Sequence, residues 1–259
     1  MHSFFKENSL FQKKNKVRFT NLIPGVADIH PILPSERCKF QWFSDCNSAM
    51  ANSDSKTSKC PGIVDLMQRG FIVTAPFDFY ITAQGKEKFE WKLAVDPNSL
   101  VDIKVGNYVS YHSKEQLHQF SPGRTDSMDI ILKVNTYWNL VASENLVFLQ
   151  MPIPYPNHNI FSAVPGLIDS NKYHSLIIQL EWHRVEGTEL IKAGTPLCQL
   201  IPIERHLVVD NTVEDANADD ILLYKKYGYN VAHKFCKSMN QWRDGTFKIL
   251  DNFRKKFNI

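Results

Sequence analysis

The spacing of apolar and polar residues separates a central region of strands from two ends of different character. From Phe71 onward, aromatic and β-branched residues alternate with polar ones, which is the period of half-buried strands. The segments with this pattern are 71–95, 105–113, 128–142, 144–154, 173–183, 188–194 and 195–203. Prolines fall at the ends of these segments, where a missing N–H is tolerated. The pattern predicts a mainly β body.

The two ends lack this alternation. The chain begins polar and basic, and a short helix is predicted after it, because Pro61 stands near its start and Gly70 can end it. After Arg205 the apolar spacing becomes that of a helix with lysines on its flanks. The predicted divisions are an N-terminal extension at 1–59, a β domain at 60–206 and a C-terminal helical arm at 207–259.

Composition narrows the class of protein. A hydrophobic content of 43% and a charged content of 22% are typical of a globular protein and exclude a disordered one. The net charge of +3 is too small to indicate nucleic acid as a partner. No apolar run approaches the about 20 residues that span a bilayer, so we expect no membrane partner and a cytoplasmic protein. The five cysteines form no C-x-x-C pair, which indicates neither a disulfide framework nor a zinc site.

One stretch of the β body carries a recognisable motif. The matched positions are Gly166, Leu167, Ile168, Asp169, Tyr173, Lys192, Gly194, Gln199, Leu200 and Ile201. In order and spacing they resemble the signature of trimeric dUTPases, a Gly-Val-Ile-Asp-x-Asp-Tyr segment followed by a Lys-x-Gly-x-x-x-Ala-Gln-Leu strand. Upstream, the segment 74–86 resembles the family's early Ala-Gly-Phe/Tyr-Asp-Leu segment, with Asp78 at the acidic position.

The resemblance implies a fold, a ligand and a set of site residues. The fold would be a dUTPase-like β-clip, a distorted β-barrel, assembled as a homotrimer that binds a nucleotide. Asp169 would be the catalytic base or the deoxyribose contact, and Tyr173 would stack on the sugar. Gln199 would reach the phosphates of a ligand bound to a neighbouring subunit, and Asp78 would be a further ligand contact. Mg²⁺ would be the cofactor if hydrolysis is retained, with no metal ligand assigned to a residue.

The chain also departs from the family's pattern. Asn171 stands where the second acid belongs, one extra residue precedes Tyr173, and His174 and Ser175 replace an Arg-Gly pair. The Pro-Arg-Ser-Ser phosphate segment and the glycine-rich C-terminal arm are absent from the sequence. Hydrolysis requires cations that meet the charge developing on the phosphates, and no arginine stands where the pattern places one. We therefore expect a degenerate or non-catalytic nucleotide-binding protein.

A second resemblance covers Cys60 to Arg205 and concerns an uncharacterised family met mainly in tailed bacteriophages and marine bacteria. It implies a phage-encoded protein, located in the host cytoplasm or in the virion. The alternative function is therefore a phage structural or assembly protein, in which the β body is a building block with no small-molecule ligand and the helical arm docks a partner.

Simpler interpretations of single residues stay open. The segment Asp169 to Asn171 is also typical of an Asx turn in a hairpin, and Gln199 also fits the outer face of a strand. His112 and His118 have no metal-ligand spacing, so surface histidines are favoured there. His174, His183 and His206 either line one cleft or are hydrogen-bonded parts of the structure.

Overall fold

The protein forms two compact units in a computed structural model. The structure describes residues 15–38, 40, 44–45, 60–94, 107–117, 126–156 and 158–224. The first unit comprises residues 1–34, 70–154 and 158–207, and the second comprises 35–69, 155–157 and 208–259. Every strand of the described residues belongs to the first unit.

The alternating segments form strands, as their period predicts. The strands of the described residues are β1 (Val17–Asn21), β2 (Leu33–Pro34), β3 (Phe71–Thr74), β4 (Phe79–Gln84), β5 (Phe89–Leu93), β6 (Val109–His112), β7 (Ile131–Ala142), β8 (Leu146–Met151), β9 (Phe161–Ala163), β10 (Gly166–Ile168), β11 (Ser175–Trp182), β12 (Glu186–Ile191) and β13 (Pro196–Glu204). The described residues also form the α-helices α1 (Val26–Ile29) and α2 (Pro61–Met67), and residues 218–224 are helical. The predicted helix at Pro61 is confirmed.

Within the described residues, the strands form three antiparallel sheets. The first has the order β1-β7-β11-β9, with β6 also paired to β7. The second has the order β10-β8-β13-β3-β2, and the third has the order β12-β4-β5. The mainly β fold predicted from the pattern is confirmed.

The core of the first unit is built from the inward residues of these strands. Along β11, burial alternates residue by residue, and Leu176, Ile178, Leu180 and Trp182 are fully buried. Each such apolar side chain contributes about 1.5 to 3 kcal/mol relative to an exposed one. A shift of one residue would expose this whole set, so the core fixes the register of β11.

The region predicted as an N-terminal extension contributes two strands to the sheets. β1 pairs with β7 and β2 pairs with β3. In β1, Phe19 packs edge-to-face on Phe71 with 5.0 Å between the ring centroids. The alternation of β1 covers only five residues, too few to stand out against the polar sequence around it. Residues 15–34 therefore lie in the same unit as the β body.

The predicted C-terminal arm is described only in part. Residues 207–217 have no regular structure, and helix is present at 218–224. The remainder of the predicted arm, 225–259, lies outside the described residues. Across the ranges that the structure describes, no helix combines the length and the apolarity needed to cross a bilayer.

Gly70 shows how closely two strands of the second sheet approach. Its φ is +73°, and a Cβ at this position would collide with the backbone carbonyl of Leu200 in β13. Only glycine combines this backbone conformation with so close an approach. The stop predicted at Gly70 therefore has a packing cause in addition to a conformational one.

Candidate functional site

An open cleft of about 370 Å³ lies where β10 and β11 separate. β10 pairs with β8, whereas β11 pairs with β7 and, through its last three residues, with β9. Neither strand pairs with the other, so among the described residues both edges that face the cleft lack a strand partner. The cleft is lined by Gln150, Val164, Pro165, Gly166, Leu167, Ile168, Asp169, Lys172, Tyr173, Ser175, Ile177 and Gln179.

The backbone of β11 directs hydrogen-bonding groups toward this cleft. The carbonyl of Gln179 accepts a hydrogen bond from the N–H of Val164 at 2.9 Å, on the side away from β7. Residues two apart in a strand direct their backbone groups to the same side, so Ile177 directs its N–H and C=O there too. Pro165, next along the opposite wall, has no N–H to donate. One backbone donor and one acceptor of Ile177 therefore face the cleft.

The turn between β10 and β11 positions Asp169 and Tyr173. The N–H of Asn171 donates to Asp169 Oδ1 at 3.0 Å, which is an Asx turn, and the N–H of Tyr173 donates to the Asp169 carbonyl at 2.9 Å. The Asx-turn interpretation is confirmed, but the hairpin interpretation is wrong, because the two strands belong to different sheets. The Tyr173 side chain is 54% exposed at the border of the cleft.

Arg205, which follows β13, forms a bidentate ion pair with Asp169. Its two terminal nitrogens donate to Oδ2 and Oδ1 of Asp169, each at 2.5 Å, and its Nε donates to the carbonyl of Glu144 at 2.8 Å. The hydrogen bonds from Arg205 are the main cause that lowers the pKa of Asp169 to about 2. Sequence reasoning missed Arg205 because 36 residues separate it from Asp169 and no spacing rule joins them.

This pairing limits the chemistry of the Asp169 carboxylate. Both oxygens already accept hydrogen bonds from Arg205, and Oδ1 also accepts one from Asn171. A carboxylate with so low a pKa is a weak proton acceptor, and a general base works best when its pKa lies near the working pH. These contacts favour a structural role for Asp169, in which it stabilises the turn, over the predicted role of catalytic base.

The other two predicted ligand contacts do not line the cleft. Asp78 Oδ1 accepts a hydrogen bond from the Ala193 N–H at 2.6 Å, and the Asp78 carbonyl accepts one from Ala94 at 2.9 Å. Asp78 thereby joins the segments next to β4, β5 and β12. Gln199 is fully buried within β13, so the outer-face interpretation of Gln199 is wrong. Of the four predicted site residues, Asp169 and Tyr173 line the cleft, whereas Asp78 and Gln199 do not.

The donor set of the cleft does not suit Mg²⁺. This ion prefers carboxylate oxygens, yet Asp169 is the single carboxylate among the described lining residues and is held by Arg205. The described ranges contain no group of three or more acidic, histidine or cysteine side chains placed to hold a metal. His112 hydrogen-bonds Gln116 at 3.4 Å, and His118 lies outside the described residues.

The three histidines near the strand ends have different surroundings. His183 is held between two serine hydroxyls, Ser127 at 3.0 Å from Nδ1 and Ser162 at 2.9 Å from Nε2. His174 contacts the Leu140 carbonyl at 3.3 Å, and His206 is exposed. The hydrogen-bonded interpretation therefore holds for His183 and His174.

Comparison with known proteins gives a weak structural similarity. No family model matches the chain, and no curated protein matches it in sequence. A mutant dUTPase from phage phi11 of S. aureus, described for its coordination of a structural Mg(II) ion, is similar with a TM-score of 0.31 and 12% identity. The match covers 58% of this chain and 86% of that one. A similarity this weak assigns no activity to this chain.

Proposed function

We propose that the protein binds a nucleotide in the cleft between β10 and β11 without hydrolysing it. The observation that carries this proposal is the pair of open strand edges that flank a 370 Å³ volume beside an exposed tyrosine. Ligand sites combine such a concave volume with a few convergent polar groups. The resemblance of the Gly166 to Tyr173 segment to the dUTPase signature supplies the class of ligand.

The walls of the cleft suit the edge of a planar base. Donors and acceptors alternate along the edge of a nucleobase, and the Ile177 backbone presents one of each. The side-chain amides of Gln150 and Gln179 add further groups of both kinds. Gln150 is held in place, because its Nε2 donates to the Val164 carbonyl at 2.8 Å. Fixed polar groups of this kind select a ligand by hydrogen bonding.

Tyr173 and Lys172 are the residues proposed to contact the sugar and a phosphate of the ligand. A tyrosine ring with half of its surface exposed can stack on a sugar or base at low entropic cost. The Lys172 side chain is 81% exposed and lies 3.8 Å from Asp169. It is the single cation among the described lining residues, which suits a contact to one phosphate.

Binding without hydrolysis follows from the same groups. Phosphoanhydride cleavage requires several positive charges placed around the reacting phosphate and a group that activates water. Here Arg205 is committed to Asp169 and to the carbonyl of Glu144, and Asp169 is in turn neutralised. Neither half of the catalytic requirement is met by these two residues.

The remaining parts of the proposal concern assembly and location. A homotrimer is the proposed assembly, in which Gln199 would reach the phosphates of a ligand bound to a neighbouring subunit and Asp78 would be a further ligand contact. A phage origin, with a location in the host cytoplasm or the virion, belongs to the same proposal. Each of these stays a prediction.

Thermal denaturation with a panel of nucleotides tests the proposal. We expect dUMP, dUTP, UTP or ATP, with and without Mg²⁺, to include at least one compound that raises Tm, because a ligand at 100 times its Kd stabilises the native state by about 2.7 kcal/mol. Tyr173→Ala should abolish the shift. Tyr111→Ala is the matched control, since Tyr111 is 53% exposed and does not line the cleft. No shift with any nucleotide at millimolar concentration would refute the proposal.

One observation favours the alternative of a structural or assembly protein. Leu207, Val208, Val209 and Val213 are apolar and between 68% and 94% exposed. Exposed apolar groups in a row are typical of a surface that a partner covers. This alternative predicts no response to nucleotides and an assembly defect in a Val208→Asp variant, measured by sedimentation.

A further inference from the structure

Arg205 joins three segments that are distant in the sequence. Its guanidinium binds the Asp169 turn through two nitrogens, and its Nε and one terminal nitrogen donate to the carbonyls of Glu144 and Leu146 at 2.8 and 3.4 Å. A second tie comes from Asn171, whose side-chain amide donates to the Glu144 carbonyl at 3.2 Å. The turn that follows β10 is therefore fastened to the turn that precedes β8.

β10 has little else to hold it in place. It has three residues, and it pairs with β8 only over Gly166 to Ile168. Leu167 is 67% exposed, and only the half-buried Ile168 packs against the core. So short a pairing with so little buried apolar surface is marginal on its own. Strands joined by a short connection ordinarily pair with each other, and here β10 is held away from β11 instead.

We propose that Arg205 is a positioning residue that keeps β10 on β8 and thereby keeps the cleft open for its ligand. The effect on ligand binding rests on the proposed nucleotide function, whereas the effect on β10 does not. Arg205 does not itself line the cleft, and it acts through the lining residue Asp169 and through backbone carbonyls.

The planar fork of arginine is what this role requires. A carboxylate accepts two parallel hydrogen bonds from a guanidinium, while the Nε–H remains available for a carbonyl on another side. A lysine ammonium keeps the charge but cannot match this geometry. The Arg205 and Asp169 side chains are only 21% and 18% exposed, so the pair is largely shielded from competing water.

Hydrogen exchange of the ligand-free protein tests the structural half. In Arg205→Met and in the milder Arg205→Lys, amides of residues 166–168 should exchange several-fold faster, while amides in the pairing of β8 with β13 stay unchanged. Arg184→Met is the matched control, since Arg184 also donates to a backbone carbonyl and pairs with an acid, Glu189 at 3.7 Å. Unchanged exchange at 166–168 in both Arg205 variants would overturn the proposal.

Titration with dUMP, or with whichever panel nucleotide raises Tm, tests the ligand half. Arg205→Lys should bind about tenfold more weakly than the wild type, as expected for the loss of a charge-assisted hydrogen bond that shapes the site. Equal affinity together with faster exchange would overturn the link between β10 and the ligand. If the wild type binds no nucleotide while β10 still loosens, the positioning of β10 stands and the proposed function fails.

Discussion

Two polar clusters of the β unit differ in surroundings although both are well hydrogen-bonded. The first, the Asp169–Arg205 pair, lies beside a short exposed strand and an open cleft. The second, His183 with Ser127 and Ser162, lies at the end of the long, buried strand β11.

The difference shows that satisfied polar groups alone do not make a binding site. His183 and Asp169 both have their polar atoms engaged, and the Asp169 turn in addition lines a cleft between strand edges that lack strand partners. A ligand needs space and unpaired donors or acceptors, and these follow from where β10 and β11 separate. We therefore expect changes near His183 to alter stability and changes near Asp169 to alter binding.

The largest effect should come from removing a core side chain beside His183. Trp182 is fully buried and stacks parallel to Phe161 with 6.0 Å between centroids. Trp182→Ala should lower the free energy of unfolding by about 3 to 5 kcal/mol. Tyr173→Ala, at the cleft, should change it by less than about 0.5 kcal/mol. Urea denaturation of both variants measures the contrast, and equal losses would contradict it.

A smaller effect should follow from removing the histidine itself. His183→Leu leaves the fully buried hydroxyl of Ser127 and that of Ser162 without the imidazole. The expected loss is about 1 to 3 kcal/mol, the cost of stranding buried polar groups. His206→Leu, at an exposed position, is the control and should be nearly neutral. A neutral His183→Leu would show that the cluster adds nothing to stability.

His158, which interacts electrostatically with His183, should also make the protein less stable in mild acid. Burial is the first cause that lowers the pKa of His158 below its usual 6.5, and His183 adds to it. Protons then bind the unfolded chain more readily than the native one, so stability falls as the pH drops below 6.5. Tm measured from pH 7.5 to 5 should show this fall, and His158→Gln should flatten it. An unchanged slope in His158→Gln would contradict the assignment.

The stability that the Asp169–Arg205 pair contributes should be lost only at a lower pH. Because Arg205 holds the pKa of Asp169 at about 2, its contribution is present above the ordinary value of 3.8 and is lost as the pH falls from there toward 2. Asp169→Asn should remove this part of the acid dependence and leave the part near pH 6.5. Loss of both parts in Asp169→Asn would mean that the two clusters are coupled.

The strands and the turn could be predicted from the sequence, because their signals are local. Alternation over eight residues marks β11, and the Asp169 side chain next to Asn171 marks an Asx turn. β1 was not predicted, because five alternating residues in a polar context give only a weak strand pattern. The separation of β10 from β11 was not predicted either, because two strands joined by a turn are typical of a hairpin.

The site was only partly predictable, because its decisive contact is tertiary. The motif indicated Asp169 and Tyr173, which the structure places at the cleft. Arg205 closes onto Asp169 from the end of β13, and only the pairing of β13 with β8 brings it there. The burial of Gln199 depends on both neighbours of β13, a property that a single strand's sequence does not specify.

Mapping of a nucleotide titration by amide chemical shifts tests the central claim most directly. With dUMP, or the panel nucleotide that raises Tm most, we expect shifts to concentrate at residues 164–168 and 173–179, and to vanish in Tyr173→Ala. Shifts that are absent, or that concentrate at 207–224 instead, would contradict a nucleotide site between β10 and β11.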